Sequence, residues 1–264
     1  MLPLHFKVCP LKKQHLYQQF SHLKATNKTA FVVLADPDKI TVHGMTELAE
    51  LCRQHGVDYL FIGGSLLMVH QMEACIRAFR AACNAPILLF PGSPSQVTPL
   101  ADGLLYLSLI SSRNADLLIG QHVISAPAVK ASGLEVISTG YMLIDGGIST
   151  TVSYISHSLP IPAHKPEIAV CTAWAAELQG KHIIYMDAGS GAAQPVSLPM
   201  IKAVSQNINI PLIVGGGIHT PEKMYENAMA GANLIVAGNA IEKDSSLIKE
   251  MALAVKQAND ERGA

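Results

Sequence analysis

Eight short apolar runs punctuate the chain, at residues 31–35, 59–64, 86–90, 103–107, 134–144, 182–186, 211–217 and 232–238. They are apolar at nearly every position, which suits strands buried on both faces of a parallel sheet rather than strands with one wet face. Segments 44–56, 67–82, 115–132, 166–180, 198–207 and 221–231 lie between them, carry apolar residues three and four apart, and several close on Gly or Asn as helix C-termini do. Eight βα units close naturally into a barrel, so the expected fold class is α/β, a (β/α)8 TIM barrel forming one domain over residues 1–264. A doubly wound sheet is the alternative. An amphipathic stretch from His15 to Leu23 predicts a helical N-terminal lead-in at about residues 1–28. The third unit departs from the rhythm: residues 91–102 contain three prolines, which predicts an irregular third helix and an open side to the barrel.

With 49% hydrophobic and 15% charged residues, the chain has apolar surface beyond what a core consumes, which points to a greasy ligand or a homo-oligomeric interface. A formal charge of −1 and no basic cluster argue against nucleic acid as a partner. Five cysteines without C-x-x-C spacing read as buried free thiols of a reducing, cytoplasmic setting. The first twenty residues lack a signal-peptide pattern, and no run approaches the roughly 20 apolar residues of a membrane span, so at most peripheral membrane contact is expected.

In parallel α/β folds chemistry sits in the loops after the strands. The seventh run ends in Gly215-Gly216-Gly217-Ile218, and after the eighth Gly238-Asn239 opens the last helix. Glycines admit an anion close to backbone N–H groups, so this pair reads as a barrel phosphate site after strands 7 and 8, although a glycine triplet alone is equally a turn. After the sixth run, Tyr185-Met186-Asp187-Ala188-Gly189-Ser190-Gly191 sets a carboxylate beside further backbone donors; Asp187 alone is equally a cap. Asp36-Pro37-Asp38-Lys39 places two carboxylates on a tight turn, suited to a hard cation or simply to an Asx-Pro turn. Ser65, after Gly63-Gly64, either reaches that cation or caps a helix beginning near Leu66. None of the eleven histidines has metal-site spacing, and no serine-nucleophile elbow is present.

Together with the stretch from Leu107 to Asn114, these motifs, in order over roughly residues 30 to 245, resemble the geranylgeranylglyceryl phosphate synthase family. The resemblance implies a prenyltransferase joining geranylgeranyl diphosphate, or a similar polyprenyl diphosphate, to the C3 hydroxyl of sn-glycerol 1-phosphate. It implies Mg²⁺ at Asp36 and Ser65. Glycerol 1-phosphate falls to Tyr185, Met186, Asp187, Ala188, Gly189, Ser190, Gly191, Gly216, Gly217, Gly238 and Asn239, with Asp187 and Tyr185 catalytic. The prenyl chain runs along an apolar groove at the irregular third helix, with Tyr106 as candidate floor, and the assembly is a dimer or a hexamer. Leu34 stands where the heptaprenyl-transferring branch carries lysine, so the likeness is to the archaeal-type branch that also occurs in some bacteria. Many members carry Glu where this chain has Asp187, one methylene shorter. The competing readings are a phosphosugar isomerase or aldolase, which needs a second acid/base or a Schiff-base lysine, and a non-catalytic phosphate- or lipid-binding barrel.

Overall fold

Each apolar run becomes a strand in the computed structural model, which describes residues 15–263: β1 (Ala30–Ala35), β2 (Tyr59–Ile62), β3 (Ile87–Leu89), β4 (Gly103–Leu109), β5 (Glu135–Leu143), β6 (Ile183–Asp187), β7 (Leu212–Gly215) and β8 (Leu234–Ala237). Neighbours pair in parallel and β8 returns to β1, which closes the barrel. Alternate residues divide between two apolar layers, as the period of a strand requires. Val32, Phe61, Leu105, Ile183 and Ile213 fill the interior, while Val33, Leu60, Leu104, Ile184 and Val214 pack outward under the helices.

The helices are α1 (His15–Ala25), α2 (Val42–His55), α3 (Met72–Ala82), α4 (Gln121–Ser132), α5 (Thr151–Ser156), α6 (Pro166–Leu178), α7 (Leu198–Asn207), α8 (Pro221–Met229), α9 (Asn239–Lys243) and α10 (Leu247–Arg262). As the prolines predict, only one 3-10 turn, Pro94–Gln96, stands between β3 and β4. Two expectations are corrected. The helix expected over 67–82 starts only at Met72, because the Asp38 carboxylate accepts the N–H groups of Met68 (2.5 Å) and Val69 (3.0 Å) and holds the chain before it as a loop. The helix after β8 is broken: α9 has five residues, and a turn in which Ser246 N donates to Asp244 Oδ1 (3.0 Å) leads into α10. Of the cysteines, Cys52, Cys75 and Cys83 are buried thiols as expected, Cys171 is exposed on α6, and Cys9 lies outside the described residues. No helix among the described residues is long and apolar enough to cross a membrane.

The lead-in, apart from residues 1–14, which lie outside the described residues, is α1, and it seals the N-terminal end of the barrel. Leu16 and Phe20 enter the interior layer, with the Phe20 ring edge-on to Tyr59 at 5.1 Å. Buried Glu135, at the start of β5, accepts the N–H groups of Leu16 and Tyr17, both at 2.8 Å. Those are first-turn donors with no partner inside the helix, and a carboxylate there also opposes the positive end of the helix. Glu135→Ala strands both donors in the interior. We expect about 1–3 kcal/mol of destabilisation in urea unfolding, and an unchanged midpoint would show that α1 is held by apolar contact alone.

Candidate active site

Strand alternation decides which residues of the β6 motif reach the top of the barrel. Tyr185 and Asp187 point inward, whereas Met186 points outward into the layer beneath the helices. Met186 and Ala188 therefore do not line the cleft: both side chains are buried in that outer layer, and the Ala188 N–H is spent on Gly215 O (3.1 Å). The other expected residues, Asp36, Ser65, Tyr185, Asp187, Gly189, Ser190, Gly191, Gly216, Gly217, Gly238 and Asn239, surround one cleft of about 1240 Å³ open to solvent.

Asp187 is 7% exposed. Tyr141, on the neighbouring strand β5, donates its phenol to Asp187 Oδ2 at 2.7 Å, and Gly189 N donates to Oδ1 at 2.7 Å. Burial nonetheless pushes the carboxyl above its ordinary range, with the two hydrogen bonds opposing the shift. Burial beside that carboxylate raises Tyr141 and Tyr185 well above the usual phenol range, so both stay protonated at neutral pH. The Tyr185 ring stacks on Phe90 (centroids 5.2 Å apart) and meets Tyr141 edge-on (5.4 Å), forming an aromatic floor to the cleft. Two glycines make room for this group. A Cβ at Gly215 would lie 2.7 Å from the Tyr185 hydroxyl, and one at Gly216, whose φ is +81°, would lie 2.6 Å from Asp187 Oδ1.

Ser190 Oγ donates to Asn239 Oδ1 (3.0 Å), tying the β6 loop to the β8 loop across the rim from Gly216 and Gly217. The three loops form a backbone cradle able to take a phosphate. Its capacity rests on N–H groups brought close rather than on a long helix dipole, since α9 is so short.

Across the cleft, Asp36 Oδ1 accepts from Asp38 N (3.0 Å), and Lys39 Nζ lies 3.4 Å from Asp36 Oδ2 and 3.3 Å from Glu242 Oε2. Asp38 is diverted to the loop before α3, so the turn leaves the cleft one carboxylate, Asp36, rather than two. Ser65 caps no helix, because α3 begins at Met72. Its loop is held by buried Gln96, which donates to Gly64 O (2.9 Å) and accepts from Gly92 N (3.1 Å). The donors are all oxygen, as a hard cation requires, and among the described residues no three His, Cys, Asp or Glu gather as a metal cage. Such sparse protein ligation fits Mg²⁺, which keeps waters and substrate phosphates. Lys39, the nearest lysine for a Schiff base, is committed to its ion pairs.

An apolar groove of about 950 Å³ leaves the cleft where the third helix is missing, passing Phe90, Leu107, Leu109, Leu117, Val152 and Ile155. Tyr106 is not its floor. The lining continues to Leu104, two residues nearer the bottom on the same face of β4, and to Val97 and Val129. Tyr106 is a wall, its hydroxyl donating to His122 O at 2.6 Å.

The PcrB family matches residues 24–258, nearly the whole described chain. The chain belongs to the PcrB family. Among its members, geranylgeranylglyceryl phosphate synthase of Chitinophaga pinensis is 56% identical over 243 residues, 92% of this chain and 96% of that protein. The synthase of Thermococcus kodakarensis is 39% identical over 233 residues, 88% of this chain and 92% of that one. The crystal structure of (S)-3-O-geranylgeranylglyceryl phosphate synthase from Thermoplasma acidophilum, in complex with sn-glycerol-1-phosphate, superposes with a TM-score of 0.86 at 29% identity, covering 92% of this chain and 98% of that one. Within the PcrB fold, Tyr141, Phe90, Gln96 and Glu242 join the site without a sequence signal of their own; the strand register pairing Tyr141 with Tyr185 is what reveals the first.

Tyr141→Phe removes a hydrogen bond that lowers the Asp187 pKa. The carboxylate then ionises at higher pH, so the acidic limb of kcat/KM moves upward and activity at neutral pH falls by about tenfold. A pH–rate profile with an unmoved acidic limb would show that Tyr141 does not tune the group that sets that limb.

Proposed function

We propose that this chain is a phosphoglycerol prenyltransferase, Mg²⁺-dependent, which joins geranylgeranyl diphosphate or a similar polyprenyl diphosphate to the C3 hydroxyl of sn-glycerol 1-phosphate. The observation that carries this reading is the continuity of three features. A backbone phosphate cradle, a buried Tyr141–Asp187 pair and an apolar groove share one opening at the C-terminal end of the barrel.

The loops at Gly189–Gly191, Gly216–Gly217 and Gly238–Asn239 fix the phosphate and leave the glycerol hydroxyl toward Asp187. Asp187 accepts its proton, directly or through one water, as the oxygen bonds to the prenyl C1. Positive charge developing at that carbon faces the rings of Tyr185 and Phe90 and the ionised carboxylate. Tyr185 acts here through its ring, because its phenol stays protonated. Asp36 and Ser65 would hold Mg²⁺, which when bound would supply positive charge for the departing diphosphate. The prenyl tail lies in the groove, out of water. The product is an ether, prenylglyceryl phosphate, with diphosphate released. For self-association we propose α6, which leaves Ile168, Trp174 and Leu178 exposed.

The test offers purified protein radiolabelled sn-glycerol 1-phosphate, Mg²⁺ and prenyl diphosphates of increasing length, with sn-glycerol 3-phosphate as control. We expect product from the 1-phosphate alone, lost with EDTA and peaking at one chain length. Asp187→Asn, which keeps the acceptor for Gly189 N, lowers kcat by about 100-fold or more while glycerol phosphate still binds. Near wild-type turnover would remove Asp187 as the base.

A further inference from the structure

Helix α4 forms one wall of the groove, yet its faces are reversed for a helix packed on a barrel. Ile119, just before it, and Val123 and Ile124 are 61%, 67% and 64% exposed, whereas the side toward β4 presents His122 and Ser125 to the groove. Its buried residues are Ser125 and Val129 alone. An apolar stripe normally seats such a helix; here hydrogen bonds do. Lys181 Nζ, in the turn before β6, donates to Ser108 Oγ on β4 at 2.7 Å, and Ser108 Oγ lies 3.1 Å from His122 Nε2. The Tyr106 hydroxyl donates to His122 O, and Ser125 Oγ donates to Tyr106 (3.4 Å), with the Tyr106 ring edge-on to the imidazole at 4.6 Å. Ser108 is 2% exposed, and burial lowers the pKa of both Lys181 and His122. Ser108, at the centre of this chain of contacts, is shielded from solvent, where a missing partner is not readily replaced by water.

We propose that Ser108 and Lys181 are positioning residues for donor length: acting through His122, they fix α4 against β4 and so set how far the groove opens beside Tyr106 toward Leu104 and Val129. Neither lines the groove, so they act on its dimensions and not by touching the chain. The inference rests on the prenyltransferase reading and names the residues that tune it. Removing the link frees the α4 wall, and each further isoprene unit then meets less resistance beside Leu104 and Val129, while neither Ser108 nor Lys181 contacts the cradle loops or the Asp187 carboxylate at the far end of β6.

The experiment compares wild type with Ser108→Ala, Lys181→Met and the conservative Lys181→Arg, measuring kcat/KM for donors shorter than, equal to and longer than the preferred one. Hydrogen exchange over residues 119–132 is followed in parallel. Expected are a rise of about tenfold in the ratio of long to preferred donor for Ser108→Ala and Lys181→Met, an unchanged KM for glycerol phosphate, faster exchange in α4, and a wild-type ratio for Lys181→Arg. An equal change for all donor lengths, or unchanged exchange in α4, overturns the proposal. A wild type without product on any donor sinks the prenyltransferase reading instead, and the exchange comparison still decides whether the link holds α4.

Discussion

The site depends on keeping a carboxylate charged where water scarcely reaches. Asp187 sits at the end of β6 inside the barrel mouth, and each of its oxygens has a fixed donor, Tyr141 on one side and Gly189 N on the other. An unpaired buried carboxylate would simply take up a proton. With two donors its pKa is raised by burial yet restrained by hydrogen bonding, which suits the proton-accepting role proposed for it. The surroundings follow from that requirement. Gly215 and Gly216 lack side chains because any Cβ would strike Tyr185 or Asp187, and the same bare backbone forms the neighbouring part of the phosphate cradle. Gly216 therefore makes room for Asp187 and lines the proposed anion site as well.

The fold was legible because strands buried on both faces read as unbroken apolar runs, and the prolines of 91–102 marked the missing helix. The site was legible as loops rather than as side chains. A contiguous motif such as 185–191 does not say which residues face inward; the pleat does, and it sends Met186 to the outer layer while admitting Tyr185 and Asp187. Tyr141 was invisible for the complementary reason. It lies mid-strand among apolar residues, and only its pairing opposite Tyr185 brings it to the carboxylate. The late start of α3 was hidden as well, since residues 67–71 keep a helical pattern that two hydrogen bonds donated to Asp38 by Met68 N and Val69 N override.

Replacing the third helix by a single turn has consequences on both sides of the barrel. It opens the groove beside β4, and it deprives α4 of the neighbour that would otherwise help to seat it. Polar contacts from Tyr106, Ser108 and Lys181 take over that task. At the opposite end α1 closes the barrel through Glu135 at the foot of β5, the same strand that carries Tyr141 at the mouth. Strand β5 thus joins the sealed end to the mouth of the barrel, with Ile137 of the interior layer between them.

The protonation states narrow the division of labour at the mouth. Tyr141 and Tyr185 are both buried beside Asp187, and ionising either would set a second negative charge against the first, so each phenol keeps its proton through the neutral range. That leaves Tyr141 as a permanent donor and Tyr185 as an aromatic surface, and Asp187 is the one group of the three able to receive a proton. Its acceptor lies close under Gly216, 2.6 Å from where a Cβ there would stand, above the floor that Tyr185 and Phe90 build. A hydroxyl held at the cradle must then either lean toward that floor or hand its proton on through one intervening water. In the proposed reaction both routes would bring the attacking oxygen over the rings of Tyr185 and Phe90, the faces that would meet the carbon it attacks.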